Sequence, residues 1–377
     1  MNRMNMRTIV IIAVLVIISA ISGVSSANDG RFYEEGGLII PVKEEKISIE
    51  KEILTLTFLE DVEKWRVDVY FEFYNPGEAL ELEVGFVGAI ENDFENTPKT
   101  PAQGGFENFT VLVNEVPVSL NGATMVFKTP NAEQDDNVRR LMIPFKMPLK
   151  HGLNIVKHSY LHCGYLQMEG VYFGQYGMTY IITTGKNWAG GVIKDFTIDL
   201  AAREDTFYFL NDFPGQKNDG SDSVWTNPQN CILLRKGCNF SRNIKNYAPA
   251  TEITVAALRD KWLALGTVVK DQAVAERLLS EYKDIRSASQ EIMPFNCFLY
   301  YAMTGSEADL QKLGLASLAL LRNAIYAYYG YPFTNRQYRE FFANHYFYER
   351  DEQFSEAKIP EKMKRRIEII KALENKK

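Results

Sequence analysis

The chain of 377 residues holds little of what most enzymes work with. Only four cysteines and four histidines occur. No C-x-x-C pair or H-E-x-x-H run is among them, which removes the common zinc-site patterns. A G-x-S-x-G nucleophile elbow and a phosphate-cradling glycine loop are also missing. Basic charge is in deficit. The 42 Lys and Arg stand against 48 Asp and Glu, a formal net charge of −6, so the positive surface of a general nucleic-acid binder is lacking. Neither a low-complexity tract nor an internal repeat interrupts an ordinary globular composition, and the length suits two or three domains.

The one long apolar run lies at the start. Arg3 and Arg7 precede it, it covers residues 8–24, and Ser25, Ser26 and Ala27 follow as small residues. This is the pattern of a secretory signal peptide, residues 1–27, cut before Asn28. The run is near the lower limit for spanning a bilayer, so retention as an anchor is the alternative. Cleavage leaves no transmembrane segment and takes the formal charge from −6 to −8 by loss of the two arginines. Export to the periplasm or the cell exterior permits disulfides. Cys231 and Cys238 bracket "ILLRKG", a spacing a hairpin could close, and form the candidate pair.

From about residue 37 to 255 the apolar pattern has a period of two. In "WRVDVYFEFYNPGEALELEVGF", Trp65, Val67, Val69, Phe71 and Phe73 share one face of a strand, and Arg66, Asp68, Tyr70, Glu72 and Tyr74 share the other. Asn75-Pro76-Gly77-Glu78 is a turn signal. A hairpin folded there sets Phe73 opposite Leu80, Phe71 opposite Leu82, Val69 opposite Val84 and Val67 opposite Phe86. Further strands read at "FTVLV", "VPVSL", "LNIVKHSYL", "TYIITT", "VIKDFTIDL" and "CILLR". The expected architecture for residues 28–255 is an all-β antiparallel sandwich-like domain.

The period turns helical after "NYAPATEITVAAL". A helical connector is expected over residues 256–306 and a small α-helical C-terminal domain over residues 307–377. In "LGLASLALLRNAIYAYYG", Leu321, Ala324, Ile325 and Tyr328 fall on one stripe, with Leu310 and Leu313 ahead of them. Gly330 sits where a left-handed C-cap belongs, and Pro332 prevents continuation. Thr334 opens a capping-box pattern for the next helix, and Pro360 starts the last one. Residues 326–348 hold eleven aromatic side chains. So small a unit has little interior, and large rings fill it efficiently, so packing is the expected role for most of them. Tyr326, Tyr329 and Tyr331 face away from the stripe and are the candidate ligand-binding residues, able to stack on sugar rings.

Other candidates for chemistry are few. His158 and His162 would pair on a helix, but in a strand four residues span roughly 13 Å, too far to share one zinc ion. His162 and Cys163 point to opposite faces, which leaves no direct thiolate–imidazole dyad between them. The hairpin register sets Glu72 opposite Glu81 and Tyr70 opposite Glu83, with Asp68 nearby. Asp68, Glu72, Glu81 and Glu83 are therefore the candidate carboxylate cluster, able to hold Ca2+ or to serve glycoside hydrolysis. A solvated acidic face is the plain alternative. "TGKNWAGG" reads as a turn between strands, and Lys362, Lys364, Arg365 and Arg366 as a basic patch on the last helix.

Three stretches near the carboxyl end, "LLRNAIYAYYGYPF", "YREFFANHYFY" and "IPEKMKRRIEIIKALE", resemble the YARHG domain of exported bacterial proteins over about residues 315–375. The naming motif departs here, since Tyr328 and Tyr329 stand where Arg and His would be. The region of about 28–255 is similar to an uncharacterised family of exported β-rich proteins through "ANDGRFYEEGGLIIP", "TGKNWAGGVIKDFTIDL" and "NYAPATEITV". The resemblances imply location and architecture more than chemistry. With no catalytic constellation found, the expectation is an exported, non-enzymatic binding or scaffolding protein of the bacterial cell envelope. Its partner would be an envelope glycan or protein, with no nucleic acid and no resident cofactor. The alternative is a hydrolase of envelope glycans or peptides that uses the carboxylate cluster.

Overall fold

The computed structural model describes residues 27–35, 38–41, 46–90, 100–120, 125–128, 139–169, 173–211, 230–258, 261–292 and 298–377. Residues 1–26 of the expected signal peptide, and Cys297, lie outside them. Among the described residues no helix is long and apolar enough to cross a membrane. The chain forms two compact units. The first takes residues up to 167 with 176–201 and 239–254; the second takes 168–175, 202–238 and 255–377.

Strands of the first unit are β1 (Ala27–Glu35), β2 (Leu38–Pro41), β3 (Ser48–Leu59), β4 (Lys64–Asn75), β5 (Leu80–Ile90), β6 (Phe106–Val113), β7 (Val116–Pro117), β8 (Met125–Lys128), β9 (Arg139–Leu149) and β10 (Gly152–His162). After β11 (Tyr165–Glu169) and β12 (Phe173–Tyr180) come β13 (Ile193–Ala201), β14 (Thr206–Asn211), β15 (Cys231–Leu234), β16 (Asn239–Tyr247) and β17 (Ile253–Leu258). One sheet of the first unit has the order β2-β1-β5-β9-β8 and the other β16-β13-β3-β4-β10-β6-β7. The sandwich-like arrangement agrees with the period-two pattern. It is not wholly antiparallel, because β13 lies parallel to β3, with Phe196 beside Glu52 and Ile198 beside Leu54. A strand returning after so long an excursion is free to enter the sheet in either direction.

The expected hairpin at residues 75–78 does not form. β4 pairs with β3 and β10, setting Phe71 beside Glu52 and Val156, and β5 pairs with β1 and β9, setting Leu82 beside Met147 and Val84 beside Phe145. The two strands belong to different sheets, and the turn carries the chain across. Asn75 organises the crossing: its amide nitrogen donates to the carbonyls of Glu78 (2.8 Å) and Lys150 (3.3 Å), and its Oδ1 accepts from Gly77 N–H (3.0 Å). The apolar faces then meet across the interior instead of side by side. Phe86 of β5 packs on Phe106, Phe109 and Tyr160, with ring centroids 5.4, 4.7 and 5.2 Å apart. Trp65, Val67, Val69, Phe71 and Phe73 are all buried. Each such side chain contributes about 1.5–3 kcal/mol by leaving water.

In the second unit the helices are α1 (Lys261–Thr267), α2 (Gln272–Glu281), α3 (Lys283–Ile292), α4 (Phe298–Thr304), α5 (Glu307–Leu310), α6 (Leu315–Tyr328), α7 (Arg336–Ala343) and α8 (Glu361–Glu374). Helix α6 is buried nearly all round, through Leu321, Ala324, Ile325 and Tyr328 on the expected stripe and through Ser317, Leu318, Leu320 and Ala327 besides. Its first turn has no side-chain cap of its own. Glu291 of α3 supplies one, accepting from Gly314 N–H at 2.9 Å and from the Ser317 hydroxyl. At the other end Gly330 has φ +85°, as the C-cap expectation requires. Helix α7 is capped by Asn335 and not by Thr334. The Asn335 carboxamide oxygen accepts from Gln337 N–H at 2.9 Å and Tyr338 N–H at 3.4 Å.

Most of the aromatic rings do fill an interior. Phe342 lies within 5.2–6.3 Å, by centroid, of Phe333 (5.2 Å), Phe341 (5.2 Å) and Tyr348 (6.3 Å). The segment 256–306, read from the sequence as a connector, adds Ala264, Leu265, Ile285, Ile292, Phe298 and Leu299 to the same core. Phe207 and Phe209 of β14 join it as well. The interior is therefore larger than the C-terminal segment alone could build.

Candidate functional site

The second unit carries an open cleft of about 560 Å3 at the C-terminal end of α6. Tyr328, Tyr329 and Gly330 form one wall, residues 349–351 and Lys358 another, and Asp205 and Arg235 close it. The backbone reversal at Gly330 makes the shape possible. A Cβ there would stand 2.9 Å from Asp351 Cβ and 3.0 Å from the Glu349 carbonyl, and the Gly330 carbonyl accepts from Asp351 N–H at 2.9 Å.

Arg235 holds the walls together. Its guanidinium lies 4.0 Å from the Tyr328 ring centroid, and its Nη2 donates to the carbonyls of Tyr328 (3.0 Å) and Phe347 (3.3 Å). Nη1 reaches Asp205 Oδ2 at 3.3 Å. Asp205 also accepts from the Tyr328 hydroxyl and, at 2.8 Å, from Lys236 N–H. Burial by itself would raise the Asp205 carboxyl. The hydrogen bonds from Tyr328 and Lys236 and the charge of Arg235 outweigh it and hold the group below the usual carboxylate range. Burial raises Tyr328, opposed by Arg235 and reinforced by the Asp205 carboxylate. Burial, with the Asp205 charge added and Arg235 opposing, pushes Tyr329 up to about 12. Both phenols are thus protonated donors at neutral pH and unsuited to act as general bases.

The sequence-derived candidates fare unevenly. Tyr329 is half-buried and lines the cleft. Tyr326 and Tyr331 sit apart from it, as a ring pair 5.4 Å between centroids, with Tyr331 also packed on Phe333 and Phe354 at 5.0 and 5.2 Å. Tyr331 is 36% exposed. The three tyrosines are therefore not one patch. Tyr328, read as core, is buried yet presents its hydroxyl to the cleft. Asp205 and Arg235 escaped the sequence reading because nothing local marks them. Their partner Tyr328 is 123 and 93 residues away along the chain.

The carboxylate cluster is not assembled. Because β4 and β5 lie in different sheets, Glu72 stands beside Lys51 and Ile155, and Glu81 beside Pro148. Three of the four acids have a side-chain partner. Asp68 accepts from Arg66 and from the Ser159 hydroxyl, both at 2.7 Å; Glu72 accepts from the Tyr70 hydroxyl at 2.9 Å; Glu81 pairs with Lys146 at 3.0 Å. Glu83 is across from Lys146 in the β5–β9 register. Among the described residues no group of three or more His, Cys, Asp or Glu side chains is placed to hold a metal ion. The expected Cys231–Cys238 disulfide is not made either. β15 pairs with β14, Cys231 beside Phe209, whereas the strand after Cys238 pairs with β13, so no hairpin brings the two sulfurs together. Cys231 is buried and Cys238 exposed.

His158 and His162 are core residues. The His158 ring packs among Phe71, Phe86, Phe109 and Phe145 at 5.7–5.9 Å, where the four separations are 5.8, 5.9, 5.9 and 5.7 Å. His162 Nδ1 accepts from Gly164 N–H at 2.8 Å, and burial lowers its pKa to about 4. "TGKNWAGG" is a turn, as expected, with Gly190 and Gly191 at φ +81° and +66°. The basic patch on α8 loses Arg366, which turns inward and donates to the carbonyls of Ala302 (2.9 Å) and Tyr301 (2.7 Å).

No curated protein matches the chain. Among solved structures it is similar to a candidate nutrient-binding protein of Legionella pneumophila, at 16% identity and a TM-score of 0.44, over 93% of this chain and 99% of that one. It is also similar to an M1 zinc metallopeptidase of Deinococcus radiodurans, at 11% identity and a TM-score of 0.26, over 58% of this chain and 44% of that one. Residues 295–375 match the YARHG domain, a stretch that includes the Tyr328–Tyr329–Gly330 wall of the cleft.

Proposed function

We propose that this is an exported, non-enzymatic binding protein of the bacterial cell envelope, and that the cleft beside Tyr329 is its ligand site. The observation that carries the reading is the bracing of the cleft. Arg235, Asp205 and Tyr328 satisfy one another and two backbone carbonyls before any ligand arrives, which lowers the ordering cost of binding. An aromatic ring and several exposed charges then face an open volume of about 560 Å3, within the range of small-molecule sites. Residues 1–27, with their paired arginines and apolar run, support delivery to the periplasm or beyond, and the YARHG domain accords with it. The ligand on this reading is a component of the envelope, glycan or peptide. The hydrolase alternative loses its basis, since Glu72 lies in a different sheet from Glu81 and Glu83.

The test is sedimentation of the protein lacking residues 1–27 with purified cell-envelope fractions. Retention that falls when Tyr329→Ala is introduced supports the reading. Equal behaviour of the two proteins removes the cleft from it, and no retention of either removes the reading altogether.

A further inference from the structure

We propose that the ligand held in this cleft is a small zwitterion, a group that presents an ammonium and a carboxylate a few bonds apart, as the end of a peptide does. The inference rests on the reading of the cleft as a binding site and adds its chemistry. The cleft is lined by three acids, Asp205, Glu349 and Asp351, and three bases, Arg235, Arg350 and Lys358.

The six charges have different duties. Asp205 and Arg235 are committed to each other and to the walls, and Lys358 and Asp351 form an ion pair on the rim. Glu349 and Arg350 are exposed and adjacent, with Arg350 paired outward to Glu352 at 2.8 Å. An exposed pair of that kind exchanges partners at little cost. A ligand ammonium can be received by Glu349 and Asp351, and its carboxylate by Arg350 and Lys358, while the Tyr329 ring covers the carbon skeleton between them. An anion without an ammonium would meet three carboxylates, and a cation without a carboxylate would meet three bases. A neutral sugar would return hydrogen bonds through its hydroxyls but would bring no charge to pair with either sign. A ligand of both signs pairs a charge of its own with each half.

Two sources offer this chemistry in an envelope: free amino acids or short peptides, and the peptide portions attached to wall glycans. Titration calorimetry at low salt separates them from each other and from the competing ligands. The probes are alanylglycine, its N-acetylated amide with both ends neutral, N-acetylglucosamine, and wall fragments with and without their peptides. The expected result is binding of alanylglycine that weakens roughly tenfold or more when the ends are capped, no measurable binding of the sugar, and loss of wall-fragment binding with the peptides. Equal binding of the capped and free dipeptide, or preference for the sugar or for peptide-free wall, overturns the zwitterion. The surface variants Glu349→Gln and Arg350→Gln leave the braced wall intact and should each weaken alanylglycine to a similar degree; if neither does, the proposal fails. Retention of the protein on envelope fractions without any dipeptide binding would sink the zwitterion and leave the envelope reading standing.

Discussion

Gly330→Ala separates two physical costs that the cleft geometry superposes. The first is conformational. At φ +85° an alanine pays about 1 kcal/mol for the left-handed region. The second is steric, because the added Cβ would come to 2.9 Å from Asp351 Cβ and 3.0 Å from the Glu349 carbonyl oxygen. These are backbone-anchored atoms, and moving them costs about 1–3 kcal/mol. The sum is about 2–4 kcal/mol. Gly237→Ala is the control within the same unit: its φ is +77°, nothing stands within 4 Å of the new Cβ, and only the first cost of about 1 kcal/mol applies. Urea denaturation followed by circular dichroism at 222 nm reads the helices of this unit. A Gly330→Ala protein no less stable than Gly237→Ala would refute the claim that the tight reversal at Gly330 shapes the cleft wall.

Other outcomes follow from the same geometry. Arg235→Ala removes two carbonyl hydrogen bonds and a ring contact and should destabilise the second unit by about 2 kcal/mol in the same denaturation assay, with Arg235→Lys restoring little of it because an ammonium cannot reproduce the fork. His162 and His345 are held neutral by burial, each with a folded-state pKa of about 4 against an ordinary 6.5. The unfolded chain therefore binds those protons first: the stability is whole above pH 6.5 and drains as pH falls toward 4, by up to roughly 3 kcal/mol per histidine, with His162 acting on the first unit and His345 on the second. Denaturation at pH 7 and pH 4.5 checks the direction, and rising stability on acidification would contradict it. A thiol reagent should label Cys238 in the native protein and Cys231 only after unfolding; protection of both until a reductant is added would reinstate the disulfide.

Which parts of this were legible beforehand follows from the range of the interactions. The burial alternation of β4 was readable because adjacent side chains in a strand face opposite ways. The pairing of β4 was not, since an apolar face is satisfied equally by a neighbour in its own sheet or by the sheet opposite. The helix of residues 315–328 and its Gly330 stop depend on local periodicity and backbone sterics, and both were plain in "LGLASLALLRNAIYAYYG". The cap of α7 was misplaced by one residue because Thr334 and Asn335 both carry a side-chain oxygen able to accept from first-turn N–H groups, and only the backbone decides between them. Tyr329 could be proposed from its position off the helix stripe. Its charged neighbours could not, as Asp205 and Arg235 reach the cleft from β-strand ends far away in the chain.

The most direct test of the cleft as the ligand site is a quantitative sedimentation assay with envelope fractions, run on the protein without residues 1–27 and on its Tyr329→Ala form. The account predicts saturable retention of the first and a loss of roughly tenfold for the second, as expected when a ring stacked on ligand is removed from a site that stays folded. Identical retention of the two proteins, with both shown to be folded by circular dichroism, would contradict it.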